Sequence, residues 1–145
     1  MIQRIQSIFL LLSSGSLFGL FGLPFATSSV IIPHIFSDLV YDIYDSPLLI
    51  GLCIAGGLLS FVAIFLYNNR GLQLKLANVS TVVSILLPLL AILLIYNERT
   101  ATTQFDKIQD GFGIYLPVLA LISSILAARF IKKDENTVRS MDRLR

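Results

Sequence analysis

The chain has 145 residues, enough for one compact unit, and only 14% of them are charged, whereas 55% are hydrophobic. A water-soluble domain carries about a quarter of charged residues, so this chain lacks the polar surface that would cover a soluble globule of its size. The composition therefore argues against an ordinary soluble domain. The single cysteine, Cys53, excludes an intramolecular disulfide and a cysteine-based metal site.

Four apolar stretches are long enough to cross the hydrocarbon core of a bilayer. A helix needs about 20 apolar residues to cross a core of about 30 Å, and lipid offers the backbone no hydrogen-bond partner outside the helix. The pattern predicts transmembrane helices at about residues 5–26, 47–67, 74–96 and 112–131. The predicted fold is all-α: a single membrane domain over residues 1–145, arranged as a bundle of four transmembrane helices.

Lysine and arginine are distributed unevenly between the two sides of this predicted bundle. Nine of the eleven lie on one side, and only Arg99 and Lys107 lie on the other. Because positively charged loops stay in the cytoplasm, this bias predicts that both termini are cytoplasmic, together with the central loop and the tail at 132–145. Residues 27–46 and 97–111 are then the two outer loops.

The loops carry local patterns of their own. In the first outer loop, apolar residues recur at helical spacing, while His34, Asp38, Asp42 and Asp45 fall on another face. This pattern predicts an amphipathic helix on the membrane surface or across the mouth of the bundle. A solvated acidic face is a commoner arrangement than a metal site, and the chain has only one histidine, so we expect no metal or other cofactor. In the central loop, Gly71 is predicted to be the turn residue of a tight hairpin.

Small residues form stripes on the predicted spans, and such stripes mark close helix contacts in membranes. The spacing leaves two interpretations open: packing within the bundle, or recruitment of another protein or a second copy. The serine residues of the spans are expected to form hydrogen bonds between helices, because no charged group lies at comparable depth to activate them. The predicted packing residues are Gly15, Gly19, Gly51, Gly56, Ser60, Ala120, Ser124 and Ala128.

The tail is basic next to the membrane and then mixes the two signs of charge. Asp134 or Glu135 is expected to pair with Arg139 across one helical turn. Contact with anionic lipid headgroups and docking to a cytoplasmic partner or neighbouring subunit are both open interpretations. The mixed charge of the tail and its lack of an aromatic residue argue against nucleic-acid binding. The candidate contact residues are Lys132, Lys133, Arg139, Met141, Arg143, Leu144 and Arg145.

Four segments carry a resemblance to a known family. They are the opening Met1-Ile-Gln-Arg-Ile-Gln6, the loop Tyr67-Asn-Asn-Arg-Gly-Leu-Gln-Leu-Lys75, the stretch Gly113-Ile-Tyr-Leu-Pro117, and the closing Lys133-Asp-Glu-Asn-Thr-Val-Arg-Ser-Met-Asp-Arg-Leu-Arg145. The chain resembles four-span inner-membrane proteins of the Bacteroidota that are known only as a domain of unknown function. The resemblance implies the cytoplasmic membrane of a Gram-negative bacterium and implies no activity.

These features together favour a protein that is not an enzyme. The middle of each predicted span lacks the charged groups that catalysis or ion-coupled transport requires at depth. We expect an accessory or scaffolding subunit of a larger inner-membrane complex, whose partners are membrane lipid and other membrane-protein subunits, with no small-molecule substrate. The alternative is a small oligomeric transporter or channel for a neutral or hydrophobic substrate.

Overall fold

Four helices make up most of the chain in its computed structural model, which describes residues 3–29, 31, 38–99 and 108–142. Three of them contain a segment that is long and apolar enough to cross a membrane, while the apolar part of the first helix, Ile5–Gly19, is shorter. The predicted predominance of apolar helices is confirmed. The helices are α1 Gln3–Gly19, α2 Pro47–Phe65, α3 Arg70–Arg99 and α4 Tyr115–Asp142.

The helices pack around a common core. α1 contacts α2 and α4, and α3 contacts the same two helices, so each helix has two neighbours in a closed ring. Buried side chains form two hydrophobic clusters, one around Leu17, Tyr41 and Leu87, and one around Leu10 and Ile131. On every helix, buried serines separate the residues of one cluster from the residues of the other along the sequence.

α1 ends earlier than the apolar pattern predicts. Its last residues are followed by a tightened turn, in which the amides of Leu20 and Gly22 donate to carbonyls three residues earlier, at 3.2 and 3.1 Å. The chain then enters a strand that begins at Ala26, so the predicted span of residues 5–26 is too long at its carboxyl end. The apolar run continues past Gly19 because these residues contribute to the core beneath a small sheet, where Leu20 and Phe25 are buried.

That sheet is small and leaves the mostly helical fold that the sequence predicted in place. β1 Ala26–Ser28 lies between β2 Val40–Tyr41 and β3 Ile108–Asp110, and both pairings are antiparallel. Ala26 pairs with Tyr41 on one side and with Asp110 on the other. This pairing gives hydrogen-bond partners to backbone N–H and C=O groups of three segments that lie outside the helices. We use "sheet end" for these strands together with the 3₁₀ helices Ile43–Asp45 and Phe112–Ile114.

The predicted amphipathic helix of residues 27–46 is wrong at both of its described ends. Those ends form β1, β2 and the 3₁₀ helix, while His34 lies outside the described residues. The acidic side chains there bind backbone amides instead of forming a solvated helix face. Asp42 accepts from the Tyr44 amide at 2.7 Å, and Asp45 accepts from the Asp42 amide at 2.7 Å, which is a capping box.

At the opposite end of the bundle, the connection between α2 and α3 does not use Gly71 as its turn residue. The Asn69 side-chain oxygen accepts from the Leu72 amide at 3.2 Å, and its carbonyl accepts from the Gln73 amide, so Asn69 is the residue that caps α3. Gly71 therefore lies in the first turn of α3 and is not the turn residue that the sequence predicted. We use "hairpin end" for residues 63–73 together with Gln6 and residues 130–134.

Candidate functional site

Hydroxyl groups join the helices halfway along the bundle. Ser60 of α2 lies 3.2 Å from the Ser13 hydroxyl of α1 and 2.5 Å from the Ser80 hydroxyl of α3, oxygen to oxygen. Thr81 of α3 donates to Ser124 of α4 at 3.0 Å. The predicted role of these residues in hydrogen bonding between helices is confirmed. Because their polar atoms are occupied with one another, this layer is structural.

The small residues divide into two groups that the sequence could not separate. Gly56 is buried, and a β-carbon there would lie 2.8 Å from Val83 and 2.9 Å from Leu17. Ser60, Ala120 and Ser124 are also buried, so these predicted packing residues lie inside the bundle. A β-carbon at Gly19 would lie 3.2 Å from Leu116, and Ala128 is half-buried.

Gly15 and Gly51 face outward instead. Both are exposed, and a β-carbon at either position would meet no atom within 4 Å. Gly15 differs from Gly51 because it forms part of a surface groove of 410 Å³ along α1. Leu116 of α4 closes one side of this groove, and the exposed side chains of Ile8 and Leu11 flank it. We call it the Gly15 groove.

A polar cluster closes the hairpin end. Arg70 of α3 forms an ion pair with Asp134 of α4, and their side chains are only 19% and 14% exposed. The buried Gln6 amide of α1 donates to the same Asp134 carboxylate at 3.1 Å. Gln73 donates to the Ala63 carbonyl of α2 at 3.0 Å. The cluster thus ties all four helices together at one level.

This cluster gives Asp134 a partner on another helix. Asp134 pairs with Arg70 across the bundle, while the predicted pairing of Asp134 or Glu135 with Arg139 involves a side chain outside the described residues. A signal for the observed pair was available, because Gln6, Arg70 and Asp134 all lie near predicted span ends on the same side of the membrane. Helical spacing alone favours neighbours along one helix and says nothing of partners on another.

The candidate tail residues lie on or beyond the last part of α4. Lys132 and Lys133 are exposed, and only Lys132 lines a groove between α3 and α4. Arg139 and Met141 belong to α4, but their side chains are outside the described part of the chain. Arg143, Leu144 and Arg145 also lie outside the described residues.

Backbone contacts hold the sheet end to the start of α4. The amide of Gly111 donates to the Phe25 carbonyl, and that of Gly113 donates to the Pro24 carbonyl, both at 2.8 Å. A β-carbon at Gly113 would lie 2.5 Å from the Pro24 oxygen, so no larger residue fits without moving the backbone. The close approach explains why glycine stands at this entry to α4.

A cavity of 320 Å³ lies beneath the sheet, between it and α3. Its wall is mostly apolar, including Pro88, Ile95 and Ile108, and Asp110 stands at its rim. The Tyr41 hydroxyl donates to the Ala91 carbonyl at 3.1 Å. Burial, with a smaller effect of the Asp45 charge, raises the pKa of Tyr41.

Among the described residues, no group of three or more His, Cys, Asp or Glu side chains could hold a metal ion.

Comparison with protein families gives a match over residues 2–144 to a domain of unknown function, DUF4293. Neither the curated proteins nor the solved structures give a match.

Proposed function

Because this chain belongs to the DUF4293 family, a domain of unknown function, we propose a role from its own geometry. It is a non-enzymatic accessory or scaffolding subunit of a larger complex in the cell inner membrane. In this proposal it crosses the bilayer four times with both termini in the cytoplasm, in the Gram-negative membrane that its resemblance to Bacteroidota proteins implies. Its partners are membrane lipid and other membrane-protein subunits.

The arrangement of α1 supports a fourth crossing. Its 17 residues rise about 25 Å at 1.5 Å per residue, somewhat less than a hydrocarbon core of about 30 Å. It packs between α2 and α4, and the apolar turn that follows it continues toward the sheet end. A short helix in the same bundle crosses if the bilayer thins locally or if this turn completes the passage.

The placement of charge supports the proposed orientation. The described side chains of Arg70, Lys75, Arg129, Lys132 and Lys133 are all near the hairpin end of α3 and α4. Asp38, Asp42, Asp45 and Asp110 lie at the sheet end. A basic hairpin end fits the cytoplasmic side, because positively charged loops are retained there.

The Gly15 groove is the observation that carries the proposed role. In lipid, helices associate through close van der Waals contact, which small residues permit. Gly15 provides such a contact on the outside of the bundle, where none of its own helices fills the space. Ser16 beside it is already bonded to the Leu12 carbonyl at 2.7 Å, so the groove suits apolar packing. We therefore assign it a transmembrane helix of another subunit.

Site-specific photo-crosslinking tests this assignment. A photoreactive amino acid at Leu11, which faces the groove, should form an adduct with one membrane protein in cells. Gly15→Leu should remove at least about nine-tenths of this adduct, because the side chain fills the space that a partner helix needs. Gly51→Leu is the matched control, since Gly51 is equally open but lies outside the groove.

Two results would contradict this role. One is an adduct that forms equally well in the Gly15→Leu and Gly51→Leu variants, which would mean that the groove holds no specific helix. The other is a cross-link between two copies of this chain carrying different tags, which would make the groove a self-association surface.

The cavity beneath the sheet favours a second candidate function, a small oligomeric transporter or channel for a neutral or hydrophobic substrate. Its 320 Å³ is at the lower end of the volumes of small-molecule sites, and its wall is mostly apolar. A pathway through a single copy would have to pass the serine layer, where buried Ser13, Ser60 and Ser80 close the centre of the bundle. Substrate-dependent flux in liposomes that contain only the purified protein would favour this alternative.

A further inference from the structure

The groove between α3 and α4 near the hairpin end has a basic rim. It has a volume of 300 Å³, and Arg129 and Lys132 line it from α4, three residues apart on one helix face. Both side chains are exposed, and none of the residues that line the groove is acidic. At this end of the bundle, Arg70 pairs with Asp134. Among the described residues, Arg129 and Lys132 form no ion pair with a carboxylate.

The floor and wall of the groove differ in character from its rim. Thr81 lies on the floor, and its hydroxyl is already bonded to Ala77 and Ser124 within the bundle. Ile125 gives the groove an apolar wall toward the middle of the membrane, while Leu74 adds apolar surface level with the rim. A ligand that fits must carry negative charge at one end and hydrocarbon along the other.

The position of the rim matches the depth of lipid headgroups. Arg129 is the first charged residue that follows the apolar middle of α4, and Lys132 lies two residues before Asp134 of the polar cluster. Basic pockets between transmembrane helices at this level bind lipid headgroups on the cytoplasmic side. Exposed Asn78 supplies an amide donor from α3 to the same groove.

From these contacts we infer that the groove binds an anionic phospholipid. Arg129 and Lys132 hold its phosphate, and one acyl chain lies along Ile125. A zwitterionic lipid fits less well, because its cationic group would meet two cations. Free phosphate fits less well, because the apolar wall would remain unused. The inference rests on the proposed placement of the bundle in the membrane and is independent of a helix in the Gly15 groove.

Native mass spectrometry of the protein released from nanodiscs tests this site. The nanodiscs contain mostly phosphatidylcholine. A minority of phosphatidylglycerol is included as the anionic probe. We expect one phosphatidylglycerol to be retained preferentially. Arg129→Gln with Lys132→Gln should weaken its binding by about thirtyfold, since each cation near the surface contributes about a factor of five to ten.

The matched control removes the same number of charges elsewhere on the surface. Lys75→Gln with Lys133→Gln removes two exposed cations of the same two helices that do not line the groove, so binding should change by less than about threefold. Ala128→Leu provides a second variant, which narrows the groove without changing its charge and should also weaken binding.

Three results would overturn the inference. Equal weakening by the two charge-removing pairs would mean that phosphatidylglycerol is attracted by net charge alone. Equal retention of phosphatidylcholine and phosphatidylglycerol would mean that the groove does not recognise charge. Displacement of the lipid by millimolar inorganic phosphate would mean that the apolar wall contributes nothing and that the site takes phosphate itself.

Discussion

The hairpin end and the sheet end hold the same four helices together by different means. At the hairpin end the contacts are between side chains, as in the ion pair of Arg70 with Asp134 and the hydrogen bond from Gln6. At the sheet end they are largely between backbone atoms, through paired strands and the close approach of Gly111 and Gly113 to Pro24 and Phe25. The contacts at the hairpin end depend on which side chains are present, whereas the close backbone approach at Gly111 and Gly113 depends on the absence of a side chain.

The comparison predicts the largest effect at the sheet end. Gly113→Ala would place a β-carbon 2.5 Å from the Pro24 oxygen and 2.6 Å from the Leu23 oxygen, and backbone atoms cannot rotate away as a side chain can. We expect the free energy of unfolding to fall by about 3 kcal/mol, at the upper end of overpacking costs. Denaturation in mixed micelles with increasing SDS, followed by circular dichroism, measures this change.

Gly51→Ala is the control for that measurement. Gly51 lies in α2, where a β-carbon meets open space, so the change should be within about 1 kcal/mol and in the direction of greater stability. Equal destabilisation by the two variants would show that the contact at Gly113 does not matter.

A smaller effect is expected from the ion pair of the hairpin end. Arg70→Ala leaves the mostly buried Asp134 carboxylate with Gln6 as its remaining described partner, and should cost about 2 kcal/mol. Asp134→Ala should cost a similar amount. Because the two residues act through one contact, the double variant should be no more than slightly worse than either single variant. The same SDS denaturation assay, applied to all three variants, completes a double-mutant cycle.

Lys75→Ala removes an exposed cation from the same helix and is expected to change stability by less than about 0.5 kcal/mol. If Arg70→Ala and Asp134→Ala destabilise the protein additively, the two side chains do not interact, and the contrast between the ends is wrong.

The smallest effect is expected in the serine layer between the two ends. Ser60→Ala removes the hydroxyl that links Ser13 to Ser80, and should cost about 1.2 kcal/mol, since each of its two hydrogen bonds between membrane helices contributes about 0.6 kcal/mol. Ser84→Ala is the control, because the Ser84 hydroxyl donates to the Ser80 carbonyl within its own helix. A loss for Ser60→Ala above about 2 kcal/mol would mean that the layer, and not the ends, dominates the stability.

The helices of this protein were largely predictable. Long apolar runs predict α2, α3 and α4 because hydrocarbon excludes unpaired backbone groups whatever the rest of the fold. The boundaries were less predictable, as α1 shows. Its apolar run extends beyond Gly19, yet the chain leaves the helix there to reach strand β1. Local hydropathy cannot report this exit, because residues remote in sequence provide the pairing.

The candidate site residues were also only partly predictable from the sequence. The sequence identified Gly15, Gly51 and Gly56 as small residues at helical spacing, but it could not tell which of them faced the interior. Only the packing shows that Gly56 touches Val83 and Leu17 while Gly15 remains open. Likewise, Lys132 and Lys133 are indistinguishable neighbours in sequence, and only the placement of α3 beside α4 puts Lys132 at the rim of a groove.

The sequence by itself determined that long stretches of this chain form apolar helices, because the cost of burying charge in hydrocarbon acts on each segment separately. The packing of the helices alone brings Arg70 of α3 to Asp134 of α4. It also decided where Gly113 must remain a glycine. Those outcomes depend on distances between segments far apart in the chain, and no local pattern records such distances.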